Sequence, residues 1–118
     1  FTFWRFSCIE GVLMMDEIYA HAGREAPREC CGLVVQEDNK ERYIPLDNIS
    51  ENANDFKIDP KTFVKYQLIS NIKYVVHSHY EQKSCPSDLD KTNCNNLGIP
   101  YFIVSYPDKE YTILEPNE

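Results

Sequence analysis

Residues 72–90, "IKYVVHSHYEQKSCPSDLD", decide the fold. The first half, Ile72 to His79, is β-branched and aromatic and reads as a strand. In an extended chain, side chains two apart share a face and lie about 6.6–6.8 Å apart along it. His77 and His79 therefore project together, and Ser78 points to the opposite side. The second half is a polar loop ending in Ser87-Asp-Leu-Asp90, which has the S-x-x-D form of a capping box and opens a helix. That helix runs to Leu97 and is closed by Gly98.

Working outward, "PYFIVSY" and "EYTILEP", joined by "PDK", follow as two more strands. Upstream, "MDEIYAHAGREAP" sets Ile18, Tyr19 and Ala22 at helical spacing from Met15, with Asp16 and Glu17 in the favourable first turn. This predicts a helix of about two to three turns that runs into Pro27. "CCGLVVQ", the turn "EDNK" and "ERYIPL" read as a hairpin, its second strand marked as an edge by Pro45. "DNISENAND" has the composition of a surface loop. Asp59 and Pro60 then supply a cap and a first-turn proline for the helix "KTFVKYQLISN". Strands and helices alternate, so the class is α/β: a single mixed β-sheet flanked by helices.

The chain has 118 residues, enough for one domain. Its 42% hydrophobic and 13% aromatic content is that of a packed globular protein. Nineteen acidic against twelve basic residues give a net charge of −7, which repels a phosphate backbone, so nucleic acid is not an expected partner. The opening "FTFWRFSCIEGVLMM" is interrupted by Arg5 and Glu10 and is neither a signal peptide nor a membrane span. Residues 1–14 are expected to be an extension or upstream sequence, with the domain itself at 15–118. Five cysteines, two of them adjacent, make a poor disulfide framework and suit reduced thiols in a cytoplasm.

An isolated H-x-H more often marks ordinary strand-end histidines, and "PSDLD" alone more often marks plain capping. Asp90 is one methylene shorter than the usual Glu or Gln at its position, which disfavours the return bond of a capping box and favours projection onto a cation. Together, two same-face imidazoles and one carboxylate make the three-ligand set of a catalytic zinc, with the fourth position left to water. H-x-H followed by S-x-x-D at this spacing resembles the signature of the JAMM, or MPN-plus, metalloproteases. That family also carries an upstream E-x-x-G, here Glu29 to Gly32 in "PRECCGLVV". "HAGREAPRECCGLVV", "FKIDP", "HSHYEQKSCPSDLD" and "LGIPYFIVSY" look most like the branch that forms the N-terminal half of the tail assembly proteins of lambda-like phages and their bacterial relatives.

The resemblance covers roughly residues 15–115 and implies the JAMM/MPN, cytidine-deaminase-like architecture. It implies His77, His79 and Asp90 as ligands of Zn2+, Glu29 as general acid/base and Ser87 as oxyanion donor; Ser78, between the two histidines, is then expected to be a hydrogen-bonding brace. It further implies a protein or peptide substrate, phage tail proteins as partners, no membrane, and a place in the host cytoplasm or on the virion tail. A cysteine-peptidase domain of the NlpC/P60 type normally follows in those phage proteins, so the chain is expected to be either the N-terminal half alone or a standalone member. Of the remaining polar residues, His21 reads as a surface or packing histidine, and Glu25 lacks the E-x-x-G context. Cys30, Cys31 and Cys94 read as small core residues. Cys85 lies near enough to be a fourth ligand. The competing readings are a non-catalytic assembly module that keeps the fold and the metal site, and a structural zinc domain, for which no C-x-x-C pair exists.

Overall fold

The computed structural model describes residues 8–52 and 55–117, with side chains from residue 14 onward. In chain order the elements are α1 (Cys8–Glu25), β1 (Cys31–Glu37), β2 (Lys40–Leu46), α2 (Pro60–Ile69), β3 (Asn71–Tyr80), α3 (Asp88–Leu97), β4 (Tyr101–Tyr106) and β5 (Tyr111–Leu114). The five strands form one sheet in the order β2-β1-β3-β4-β5. Only the β3–β4 pair is parallel, and α3 is the crossover that parallel pairing requires.

Local chemistry sets the element ends. Asp38 and Asn39 both take positive φ, 50° and 65°, as the two-residue turn between β1 and β2 demands. Asp59 accepts from the Lys61 amide and Pro60 opens α2. Gly98, at φ 67°, ends α3 in the left-handed conformation. Pro45 lies in β2, which is an edge strand as its missing donor requires.

Two expected helix boundaries differ. The first helix begins at Cys8, not at Met15, so residues 8–14 of the stretch assigned to an extension are helical, and Met14 is part of the core. The apolar spacing runs back from Ile18 to Met14, one turn earlier, and makes Met14 the first core contact of α1. The second helix ends at Ile69, two residues before the expected Asn71. Ser70 takes an extended conformation, its hydroxyl donates to the Tyr66 carbonyl at 2.6 Å, and Asn71 opens β3.

The sheet divides two apolar layers. Met14 and Ile18 of α1 pack with Val34, Tyr43, Tyr74, Val76, Phe102 and Val104 on one face. On the other, Leu33, Val35, Ile44, Val75, Tyr101 and Ile103 pack with Cys94 of α3, while Phe63 and Tyr66 of α2 are only partly buried against them. Strand alternation puts His77 and His79 on the α2/α3 face with Val75, and Ser78 on the α1 face with Val76.

Candidate metal centre

Three segments build the site. The β1–β3 register pairs Cys31 with His77, and its continuation sets Cys30 against Ser78, which brings Glu29 to the end of β3 that carries His79. Ser78 braces this junction from the α1 face: its hydroxyl accepts from the Cys30 amide at 2.8 Å, and its own amide donates to the Cys30 carbonyl at 3.2 Å. The third segment is the first turn of α3.

Asp90 does two things at once. Its Oδ2 accepts from the Ser87 amide at 2.9 Å while Ser87 Oγ accepts from the Asp90 amide at 3.0 Å. The capping box therefore closes in full, and the expectation that Asp is one methylene too short for the return bond is corrected. The cap fixes the rotamer that turns the carboxylate towards β3. Asp90 Oδ1 lies 3.0 Å from His77 Nε2, and Oδ2 lies 3.5 Å from His79 Nε2.

The other nitrogen of each imidazole is occupied. His79 Nδ1 lies 2.9 Å from the Lys83 carbonyl, and His77 Nδ1 lies 3.2 Å from Glu29 Oε1. His77 is wholly buried between Phe56, stacked on it at 4.5 Å, and the edge-on ring of Tyr101. Its Nε2 makes no hydrogen bond, although a carboxylate oxygen is 3.0 Å away, so the two atoms are close without being aimed at each other.

Charge follows from this packing. Burial opposes protonation of His77, but Asp90 and Glu29 outweigh it and push the imidazole pKa up to about 9. Burial likewise opposes the charge on Asp90, and the two histidines with the Ser87 amide hold the carboxyl far below its ordinary range. His79 is raised in the same way by Asp90 and the Lys83 carbonyl, against the cost of burial.

Adjacent ligand atoms on a tetrahedral zinc, with bonds of 2.0–2.2 Å, stand about 3.4 Å apart. Asp90 offers each Nε2 a different oxygen, Oδ1 at 3.0 Å from His77 and Oδ2 at 3.5 Å from His79, both near that spacing. A metal ligand imidazole usually gives its second nitrogen to a carboxylate or a carbonyl, as both do here. Imidazole nitrogens and a carboxylate are donor types that zinc accepts. Among the described residues, the three-residue group whose ligand atoms all lie within 4.8 Å of one another is Glu29, His77 and His79, one atom each, and Asp90 stands beside it.

The site opens to a cleft of about 280 Å³, walled by Glu29, Asp55, Phe56, Lys83, Ser87 and Asp90. Cys85 is exposed on its wall and outside that overlapping group. His21 is a packing histidine: Nδ1 meets the Tyr43 hydroxyl at 2.7 Å, and burial lowers its pKa. Cys30, Cys31 and Cys94 are buried. Phe56 and Asn48 escaped the sequence reading. The Asn48 amide donates to the carbonyls of Glu29 and Asp55 at 2.9 and 3.0 Å, and so ties the loop carrying Phe56 to the segment carrying Glu29. An Asn in a polar loop ahead of a helix was the only signal, and it is shared with every turn of that composition.

A family model for prokaryotic homologues of the JAB domain matches residues 12–114. The chain belongs to that JAB-domain family. The chain is 38% identical over 104 residues to the tail tip assembly protein K of Escherichia phage N15, covering 87% of this chain and 43% of the phage protein. It is 26% identical over 103 residues to the CysO-cysteine peptidase of Mycobacterium tuberculosis, covering 80% of this chain and 70% of that protein. Among solved structures, one from Desulfitobacterium hafniense superposes with a TM-score of 0.69 at 26% identity, covering 86% of this chain and 77% of the other. A JAB1/MPN domain protein from Archaeoglobus fulgidus superposes with a TM-score of 0.57 at 20% identity, covering 89% and 94%, and shares the fold. The expected JAMM/MPN architecture is therefore correct. Among the described residues, no helix is long and apolar enough to cross a membrane.

Proposed function

We propose that this JAB domain is a zinc-dependent metallopeptidase or isopeptidase. His77, His79 and Asp90 would hold the ion. The observation that carries the reading is the buried His77 Nε2, which has no hydrogen bond and shares the Asp90 carboxylate with His79 Nε2. Two imidazoles and a carboxylate disposed in this way satisfy a common cation better than they satisfy one another.

Zinc, when bound, supplies a water whose pKa falls from 15.7 to about 7 and a Lewis acid for the scissile carbonyl. Glu29 lies on the cleft wall outside the Nε2 pair. It is the general acid/base: it takes a proton from the attacking water and returns it to the leaving amine. Ser87 spends a lone pair on the Asp90 amide, which leaves its own proton to donate to the oxyanion. One such preorganised donor is worth about 2.7–4 kcal/mol. The stacked Phe56 covers His77 and keeps water from that side of the centre.

The likeness to a tail tip assembly protein supports a setting in phage tail assembly, with tail proteins as substrate or partner, in the host cytoplasm or on the virion. It equally supports a non-catalytic assembly module that keeps the metal site. The likeness to a peptidase favours catalysis. The test is hydrolysis of a peptide library and of tail-tip proteins by the zinc-loaded chain, with Glu29→Ala as control. The expected result is turnover that falls about 10²–10⁴-fold in the variant. Equal turnover would remove Glu29 from the mechanism, and no turnover on any substrate would select the assembly module.

A further inference from the structure

Beside the cleft lies a second cavity, of about 320 Å³, between α2 and the C-terminal half of α3. Its walls include Ile58, Phe63, Val64, Leu97 and Tyr101, and Lys57 is the one charged residue among them. Two residues, Phe56 and Asn93, line both spaces. The ring of Phe56 is therefore a shared partition, with His77 stacked against it at 4.5 Å. The space exists because α2 stands off the sheet: none of its residues is fully buried, although Phe63 and Val64 face the cavity.

The two spaces differ in chemistry. The cleft presents Glu29, Asp55, Asp90 and Lys83, groups suited to a peptide backbone and a reacting carbonyl, while the neighbouring cavity offers almost only carbon. Successive residues of an extended peptide are about 3.3 Å apart and alternate sides, so a chain crossing the cleft carries a side chain past Phe56 within a residue or two of the bond at the centre. We propose that this cavity is a specificity subsite for a large apolar side chain, of the leucine or phenylalanine type, next to the bond that the cleft cleaves. The inference rests on the peptidase reading for its direction. The occupant follows from continuity with the cleft and from a size within the usual range of ligand pockets.

The test is binding of N-acetylleucinamide against N-acetylglycinamide to the full chain, followed by amide chemical shifts, so no turnover is needed. Val64 is 49% exposed at the cavity and Leu68 is 81% exposed on the same helix but outside it, so both tolerate substitution by aspartate. The expected result is leucinamide binding at least about tenfold tighter than glycinamide, with shifts at Phe63, Val64 and Leu97. Val64→Asp should remove that preference and Leu68→Asp should leave it, with circular dichroism showing both folded. Equal binding of the two probes, or equal effects of the two variants, would overturn the subsite. A chain that binds leucinamide here yet hydrolyses nothing would keep the subsite and sink the peptidase reading.

Discussion

Replacing Ser78 by alanine tests how Glu29 is held. The Ser78 hydroxyl is buried, and it accepts from the Cys30 amide at 2.8 Å, one residue from Glu29. Removing it strands a buried N–H where water cannot reach, at a cost of about 1–3 kcal/mol. For a two-state chain of 118 residues, the entropy of unfolding converts each kcal/mol into about 4 °C of Tm, so Ser78→Ala should melt roughly 4–12 °C lower. The Cys30 amide should also exchange faster with solvent, while zinc stoichiometry stays unchanged because both imidazoles lie on the other face of β3. Calorimetry and amide exchange on the variant measure these directly. A Tm within 1 °C of the parent, with Cys30 still protected, would refute the claim that the hydroxyl bond helps to tie the Glu29 segment to β3.

Gly32→Ala should destabilise by about 1–3 kcal/mol in a denaturant titration, because a Cβ there would stand 2.5 Å from the Ile44 carbonyl and from the Tyr43 hydroxyl. The glycine of the E-x-x-G thus permits the close approach of β1 and β2. Burial pushes the Cys30 and Cys31 thiols up to about 11 and 12. Unfolded thiols ionise near about 8.5, so unfolding releases protons above that pH. Stability should be intact below about pH 8.5 and fall as pH rises towards 11, and Cys30→Ala should flatten part of that slope in melts taken across the range. Among the cysteines whose side chains are described, from residue 14 onward, Cys85 alone is exposed, so at pH 8 a thiol reagent should show a fast phase that loses one thiol equivalent in Cys85→Ser.

The fold was legible where local signals and tertiary packing agree. The Asp59-Pro60 start, the Asp38-Asn39 turn and the Gly98 stop each fix a backbone conformation with their own side chain or its absence. The start of α1 was not, because Glu10 and Gly11 interrupt the apolar pattern and only packing against the sheet shows that Met14 belongs to the core. At the site, the same-face histidines and the opposed Ser78 followed from strand periodicity alone. The double duty of Asp90 did not, since it depends on α3 lying beside β3. Phe56 and Asn48 act from a loop whose position is set by the Asn48 amide, which bonds to Asp55 within the loop and to Glu29 nineteen residues away, and no spacing rule announces such bonds.

The central claim is that the two histidines and Asp90 hold the ion while Glu29 stands outside the ligand set. Native mass spectrometry of zinc-loaded single variants tests it without any substrate. One zinc per chain is expected in the parent and in Glu29→Ala, and none in His77→Ala or Asp90→Ala. Zinc lost from Glu29→Ala but kept by Asp90→Ala would contradict it and assign the ion to Glu29, His77 and His79.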